Sequence, residues 1–322
     1  MPLRIVFCGT PAFALPTFHH LLTQPDFKVE GVVTQPDRPR GRGNSLASSP
    51  VKEAGLAARI PVYQPQKIRA DEGLEYFQRL APDVVVIIAY GQIIPQRLID
   101  VPRLGWINLH GSLLPKYRGA APIHWAVANG ETRTGLTTMQ IDAGLDTGPV
   151  LLRHETQIGP DETSPDLYTR LAEAGAPLMA ETLRGLENGS VAPTPQDNSL
   201  ATLAPPLKKE DGKIDWSFAA QKIYNRMRGF KPWPGTFSSF RGKICQLWGK
   251  PAGAGSFVLA ARHALSEKPY GSLSENSNKL FVLCGAGTIL EIESIRIEGK
   301  KRTAIRDFLN GAHLKAGERF GE

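Results

Sequence analysis

Asn108 and His110 lie two positions apart in the run WINLHGSLLPKYRGAAP at 106–122. On a β-strand that spacing puts both side chains on one face. One is a neutral amide able to donate a hydrogen bond to a developing oxyanion, and the other is a base that titrates near neutral pH. The chain then turns at Gly111. Some thirty residues on, GLDTG at 144–148 presents Asp146 between glycines. An amide, an imidazole and a carboxylate are the components of acyl transfer to an amine. Taken singly, each has an ordinary role: a turn-capping amide, a satisfied core histidine, a loop carboxylate. Asn is a poor metal ligand and the strand holds no second histidine, so no metal is expected here.

These residues need a rigid frame, and the first two hundred positions supply its pattern. Apolar or β-branched runs at 3–9, 29–34, 83–89, 105–110, 135–141 and 149–156 alternate with helical periodicity at 13–22, 50–59, 70–80, 120–129 and 164–186. DVVVIIA at 83–89 has the continuous apolar character of a strand buried on both faces. The alternation predicts an α/β, Rossmann-like, mostly parallel sheet. Ligands of such sheets sit at the carboxyl ends of the strands, where Gly9, Tyr90-Gly91, His110 and the segment after Ile141 fall. Neither GxGxxG nor GxxxxGK[ST] occurs, which argues against a dinucleotide or P-loop site.

The last third differs in character. Residues 190–208 are polar and proline-rich and read as a linker between a catalytic domain at 1–189 and a C-terminal domain at 209–322. Short β-rich runs at 242–248, 256–261, 279–283 and 289–297, after a helix near 219–228, predict a small OB-like β-barrel. Eighteen basic and eleven acidic residues follow position 209, an excess that equals the whole chain's net charge of +7. A basic appendage on a neutral domain suits a large polyanion.

The 322 residues are 41% hydrophobic and 21% charged, as in an ordinary globular protein. No apolar run is long enough to span a membrane, and the start reads as a core strand rather than a signal peptide, so the expected location is cytoplasmic. Cys8, Cys245 and Cys284 are far apart and odd in number, consistent with free buried thiols. Nothing demands more than a monomer. The loop at 34–49 carries Arg38, Arg40 and Arg42 among glycines and serines, a length and composition suited to phosphates and base edges.

Taken together, FCGTPAFA, TQPDRPRGRG, AYGQIIP, INLHGSLLPKYRGAAPIHWA, GLDTGPVL, KIDW and RGFKPWPG, in this order, resemble the folate-dependent formyltransferases, and among them those that act on initiator methionyl-tRNA. The resemblance runs nearly the whole length and is weakest at 251–278. It implies transfer of a formyl group from 10-formyltetrahydrofolate, a co-substrate, to the α-amine of the methionyl end. Asn108, His110 and Asp146 would be catalytic. Asp146 would either hold His110 charged or accept the amine proton through a water.

The resemblance further implies a folate pocket lined by Ser112, Leu113, Leu114 and Pro115, with Ile88, Tyr90 and Gly91 on the other wall. Arg38, Arg40 and Arg42 would meet the acceptor end of the tRNA. Lys208, Lys209, Lys300, Lys301 and Arg302 would hold its body, while Trp233 is expected to serve as a packing anchor. Formyltransferases of amino-sugar nucleotides share HGSLLPKYRG but usually lack the arginine loop. They are the alternative, and a non-catalytic RNA-binding scaffold is a third reading.

Overall fold

The computed structural model describes residues 1–40 and 45–322. The chain divides into two compact units. The first comprises Met1–Ile123, Thr132–Ile158 and Asp166–Pro206, and the second His124–Glu131, Gly159–Pro165 and Leu207–Glu322.

The strands of the first unit are β1 (Leu3–Gly9), β2 (Phe27–Val33), β3 (Arg38–Arg40), β4 (Ser45–Ala47), β5 (Val62–Tyr63), β6 (Val84–Ile88), β7 (Trp106–His110), β8 (Arg133–Gln140) and β9 (Val150–Gln157). Seven of them form one sheet in the order β5-β2-β1-β6-β7-β8-β9, and β3 and β4 form a separate hairpin. Pairing is parallel from β5 to β7 and antiparallel from β7 to β9, the mixed but mostly parallel sheet that the alternation of elements implies. All five residues of β6, VVVII, are buried. A parallel strand covered on both faces requires such a run.

The chain order reverses between β1 and β6, where Gly9 pairs with Ile88. Ligands of open α/β sheets bind outside the carboxyl ends of the strands at such a reversal. The helices α1 (Leu15–Thr23), α2 (Pro50–Ala57), α3 (Asp71–Leu80) and α4 (Gln96–Ile99) connect these strands. Helix α5 (Pro122–Ala128) follows β7, and α6 (Ser164–Asn188) follows β9. Trp106 is fully buried, donates its indole N–H to the Leu98 carbonyl at 2.7 Å and packs on Phe77. It thereby seats the start of the strand that carries Asn108 and His110.

Residues 194–204, within the stretch that reads as a linker, run against the first unit. Thr194 pairs with Val150, and Leu203 pairs with Arg118.

The second unit is built on α7 (Ala220–Gly229), β10 (Phe237–Phe240), β11 (Lys243–Pro251), α8 (Ser256–Ala264), β12 (Leu273–Asn276), β13 (Lys279–Leu283), β14 (Ile289–Ile297), β15 (Thr303–Ala304) and α9 (Ile305–Ala312). Its sheet runs β10-β11-β14-β13-β12, antiparallel throughout, with β15 added on β14. Trp216, Ile223, Leu247, Ile292, Ile295 and Phe320 lie in its core. One expected strand is a helix. The apolar run at 256–261 belongs to α8, because Ala261 and Leu265, with Val258, turn one helical face onto Phe281, Leu283 and Ile289.

No helix among the described residues is long and apolar enough to cross a membrane. All three cysteines are free and buried. Burial pushes their thiols up, to about 12 for Cys245 and Cys284. The thiolate is the reactive form. The native protein at pH 8 is therefore expected to give no rapid reaction with a disulfide thiol reagent, and to titrate three thiols once denatured.

Candidate active site

Strand β7 places the site. Ile87 of β6 pairs with Asn108, and Met139 and Thr137 of β8 lie opposite Asn108 and His110. Asn108 and His110 share one face, as their spacing requires. Leu109 points to the other, against Gly175 of α6, where a Cβ would collide with the leucine side chain. His110 is 5% exposed. Its Nε2 lies 2.9 Å from the Tyr117 carbonyl oxygen. A carbonyl only accepts, so Nε2 carries the proton and Nδ1 is the nitrogen left to exchange one. Nδ1 stands 3.7 Å from Asp146 Oδ2. Among the described residues the half-buried Asn108 amide makes no hydrogen bond. An amide with its donors unspent, on the strand face that also carries the imidazole, can donate to a carbonyl oxygen.

Asp146 reaches this position through its loop. The loop is closed by Gln140 N–H to the Pro149 carbonyl, and by Asp142, which accepts from Gly144 N–H and the Thr147 hydroxyl. Gly148 has to be glycine, since a Cβ there would strike the Gln140 carbonyl. Asp146 itself has φ +51°, in the left-handed region that costs a non-glycine residue about 1–2 kcal/mol. Its Oδ2 accepts from the Gly119 N–H at 2.8 Å.

The SLLP segment is shaped from within. The Ser112 hydroxyl donates to the Lys116 carbonyl at 2.6 Å. Thr137 donates to the Ser112 carbonyl and accepts from Leu114 N–H, and Arg153 donates to the Leu114 carbonyl. Ser112 and Leu114 are buried, the latter with Met139 and Val150. Leu113 and Pro115 remain half-exposed on the segment.

The side chains of Ile88 and Tyr90, at the end of β6, are buried. The exposed groups there are the backbone of Ala89 and Gly91, with φ +48° and +89°. The Tyr90 carbonyl is tied to the Thr10 hydroxyl and the Gln35 amide.

The structure adds residues that the motif did not single out: Thr137 and Arg153 behind SLLP, and Tyr117 and Gly119 as backbone partners of the pair. No spacing rule marks a threonine on a neighbouring strand. Among the described residues no group of three or more His, Cys, Asp or Glu is arranged to hold a metal ion.

The candidate nucleic-acid residues belong to both units. Arg38 is exposed at the base of the β3–β4 hairpin and donates to Gln35. The backbone of Arg40 pairs with Ser45, while Arg42 lies outside the described residues. The hairpin base is fastened by Lys52 Nζ on Asp37 at 2.5 Å, and this contact, with the Gln64 amide, holds the Asp37 carboxyl below its ordinary range. Lys208, Lys209, Lys300 and Lys301 are exposed. Arg302 is engaged, its guanidinium 4.1 Å from the centre of the Trp248 ring and its Nε on Ser294. Trp233 is not a buried anchor. It is 53% exposed and borders a groove of about 510 Å³ with Lys209, Ile244, Arg296 and Lys300.

Residues 3–183 match the formyl transferase family, and residues 206–313 match the C-terminal domain of formyl transferases. A methionyl-tRNA formyltransferase from Koribacter versatilis is 51% identical over 318 residues, covering 98% of each chain. One from Acidobacterium capsulatum is 51% identical over 322 residues, covering 99% of this chain and all of its own. The crystal structure of an N-formyltransferase from Helicobacter canadensis, in complex with folinic acid and dTDP-3-aminofucose, has the same fold. It shows a TM-score of 0.63 at 18% identity, over 94% of this chain and 100% of that one. The chain belongs to the formyl transferase family, in the branch of the methionyl-tRNA formyltransferases.

Replacing Thr137 by valine removes both hydrogen bonds to the SLLP segment and leaves a buried Leu114 N–H without a partner. It is expected to cost about 1–3 kcal/mol in chemical denaturation and to raise the KM for the formyl donor.

Proposed function

We infer that this chain transfers the formyl group of 10-formyltetrahydrofolate to the α-amine of initiator methionyl-tRNA. The observation that carries the substrate is the full-length identity of about half to methionyl-tRNA formyltransferases, which runs through both units. Sugar N-formyltransferases share the fold at 18% identity. The exposed cations at Lys208, Lys209, Lys300 and Lys301 and the loop arginines support a polyanionic acceptor over a single sugar nucleotide. A cytoplasmic monomer suits an enzyme of translation.

The folate's N10 supplies a formyl group on a nitrogen able to leave. The incoming amine forms a C–N bond to the formyl carbon, the C=O π pair moves onto the oxygen, and the bond to the folate nitrogen breaks as that pair returns. Asn108 donates its amide N–H to the formyl oxygen, where negative charge builds in the transition state. A fixed donor of this kind contributes on the order of 10²–10³-fold in rate. His110, its Nε2–H committed to Tyr117, offers protonated Nδ1 to the same oxygen. Asp146 lies beside Nδ1 and takes the proton that the attacking amine sheds. Oδ2 is held by Gly119, and among the described residues Oδ1 accepts no hydrogen bond, which leaves it the open acceptor. As the amide forms, the leaving nitrogen takes up the proton that Asp146 removed from the amine. The walls at Leu113, Pro115, Ala89 and Gly91 hold the ring of the donor.

Labelled formyl transfer, measured side by side on methionyl-tRNA and on an amino-sugar nucleotide, tests the substrate. Turnover is expected on the tRNA alone, and turnover on the sugar alone refutes the reading. His110→Ala and Asp146→Asn are each expected to lower kcat on the order of 10²–10⁴-fold with tRNA binding retained. Wild-type turnover in both removes the catalytic assignment. Lys209→Ala with Lys300→Ala is expected to leave kcat intact, weaken tRNA binding and flatten its dependence on salt.

A further inference from the structure

The segment at 194–204 is joined to the site by hydrogen bonds that a spacer would not need. Gln196 Nε2 donates to the carbonyls of Asp146 and Gly148, at 2.8 and 2.7 Å. Its Oε1 accepts from Arg118 Nε and Nη2, at 3.1 and 2.7 Å. Arg118 Nη2 also donates to Asn198 Oδ1 at 2.8 Å. Arg118 is 6% exposed, and among the described residues it meets no carboxylate within ion-pairing distance. Burying a guanidinium against neutral amides alone is costly.

The backbone repeats the pattern. Arg118 N–H donates to the Thr202 carbonyl, Ala204 N–H to the Arg118 carbonyl, and Tyr117 N–H to the Thr202 hydroxyl. These bonds fix residues 117–119, whose flanking peptides hold His110 through the Tyr117 carbonyl and Asp146 through the Gly119 N–H. Gly119, at φ +121°, has its Cα so close to the Ala204 carbonyl that a Cβ would approach to 2.7 Å. Two residues in the left-handed region, Tyr117 at +61° and Asp146 at +51°, are thus clamped from one side. Such conformations persist where the surroundings over-determine them.

The geometry points to residues 194–204 as a positioning strap of the active site, with Gln196 the positioning residue that orients Asp146 and Arg118 the group that orients Gln196. This rests on the reading of His110 and Asp146 given above. Gln196 touches no reacting atom. Its amide fixes the backbone from which the Asp146 carboxylate projects, and a carboxylate displaced by about 1 Å from the attacking amine loses on the order of 10²-fold in rate.

Gln196→Glu separates this role from a merely structural one. The carboxylate pairs with Arg118 at least as well as the amide does, so the fold is kept, but it has no N–H to offer and repels the two carbonyls. The expected result is a fall in kcat on the order of 10²-fold, with the KM for both substrates and the thermal midpoint unchanged or the midpoint raised. Gln196→Ala lowers kcat likewise, with some loss of stability. Asp146→Asn is measured in the same assay. If it is inactive while Gln196→Glu turns over normally, or shows its defect only in KM, the strap is refuted and the catalytic reading stands. If Asp146→Asn itself keeps wild-type turnover, the catalytic role of Asp146 falls and the strap proposal falls with it.

Discussion

The hydrogen bond from His110 Nε2 to the Tyr117 carbonyl is the interaction on which the arrangement of the site depends. It settles which ring nitrogen is spent on structure and which faces substrate. It also ties the end of β7 to the loop seven residues later, so the strand and the loop cannot move independently. Two residues on, Gly119 N–H sets the carboxylate that faces the free nitrogen. A three-residue stretch therefore aligns an imidazole and a carboxylate that lie thirty-six positions apart in sequence. Fixing these groups before substrate arrives lets them act on a developing charge without reorganising.

The sheet supplies what this stretch cannot. Parallel strands leave their carboxyl ends on one edge, and ligands of such sheets bind there at a reversal like that between β1 and β6. The all-apolar β6 and the buried Trp106 make that edge rigid. The change from parallel to antiparallel pairing at β7 then brings β8 back along the site. Thr137 consequently stands behind SLLP, and the Asp146 loop emerges at the same end.

Much of this was legible in the sequence because it rests on period and residue type. The strand at 83–89 announced itself by continuous β-branched residues. Asn108 and His110 announced themselves by a spacing of two, and Asp146 by its flanking glycines. Where an expected strand is a helix, the cause is physical. Residues 256–261 are apolar without clear periodicity over six positions, and only the packing of Ala261 and Leu265 on the neighbouring strands makes them helical. The resemblance implies a wall at Ile88, Tyr90 and Gly91, and the side chains of the first two are buried. Residues 190–208 have a linker's composition, yet a polar, proline-rich strand suits equally well a segment whose partners are backbone groups and a buried guanidinium. Long-range partners such as Gln196 and Thr137 carry no local signature.

The central claim is the division of labour between the two nitrogens of His110, and ¹⁵N NMR of the imidazole across its titration tests it most directly. The account predicts that neutral His110 carries its proton on Nε2, in a slowly exchanging bond to Tyr117, and that Nδ1 takes up the second proton as pH falls. A neutral form protonated on Nδ1, with Nε2 titrating, would contradict it.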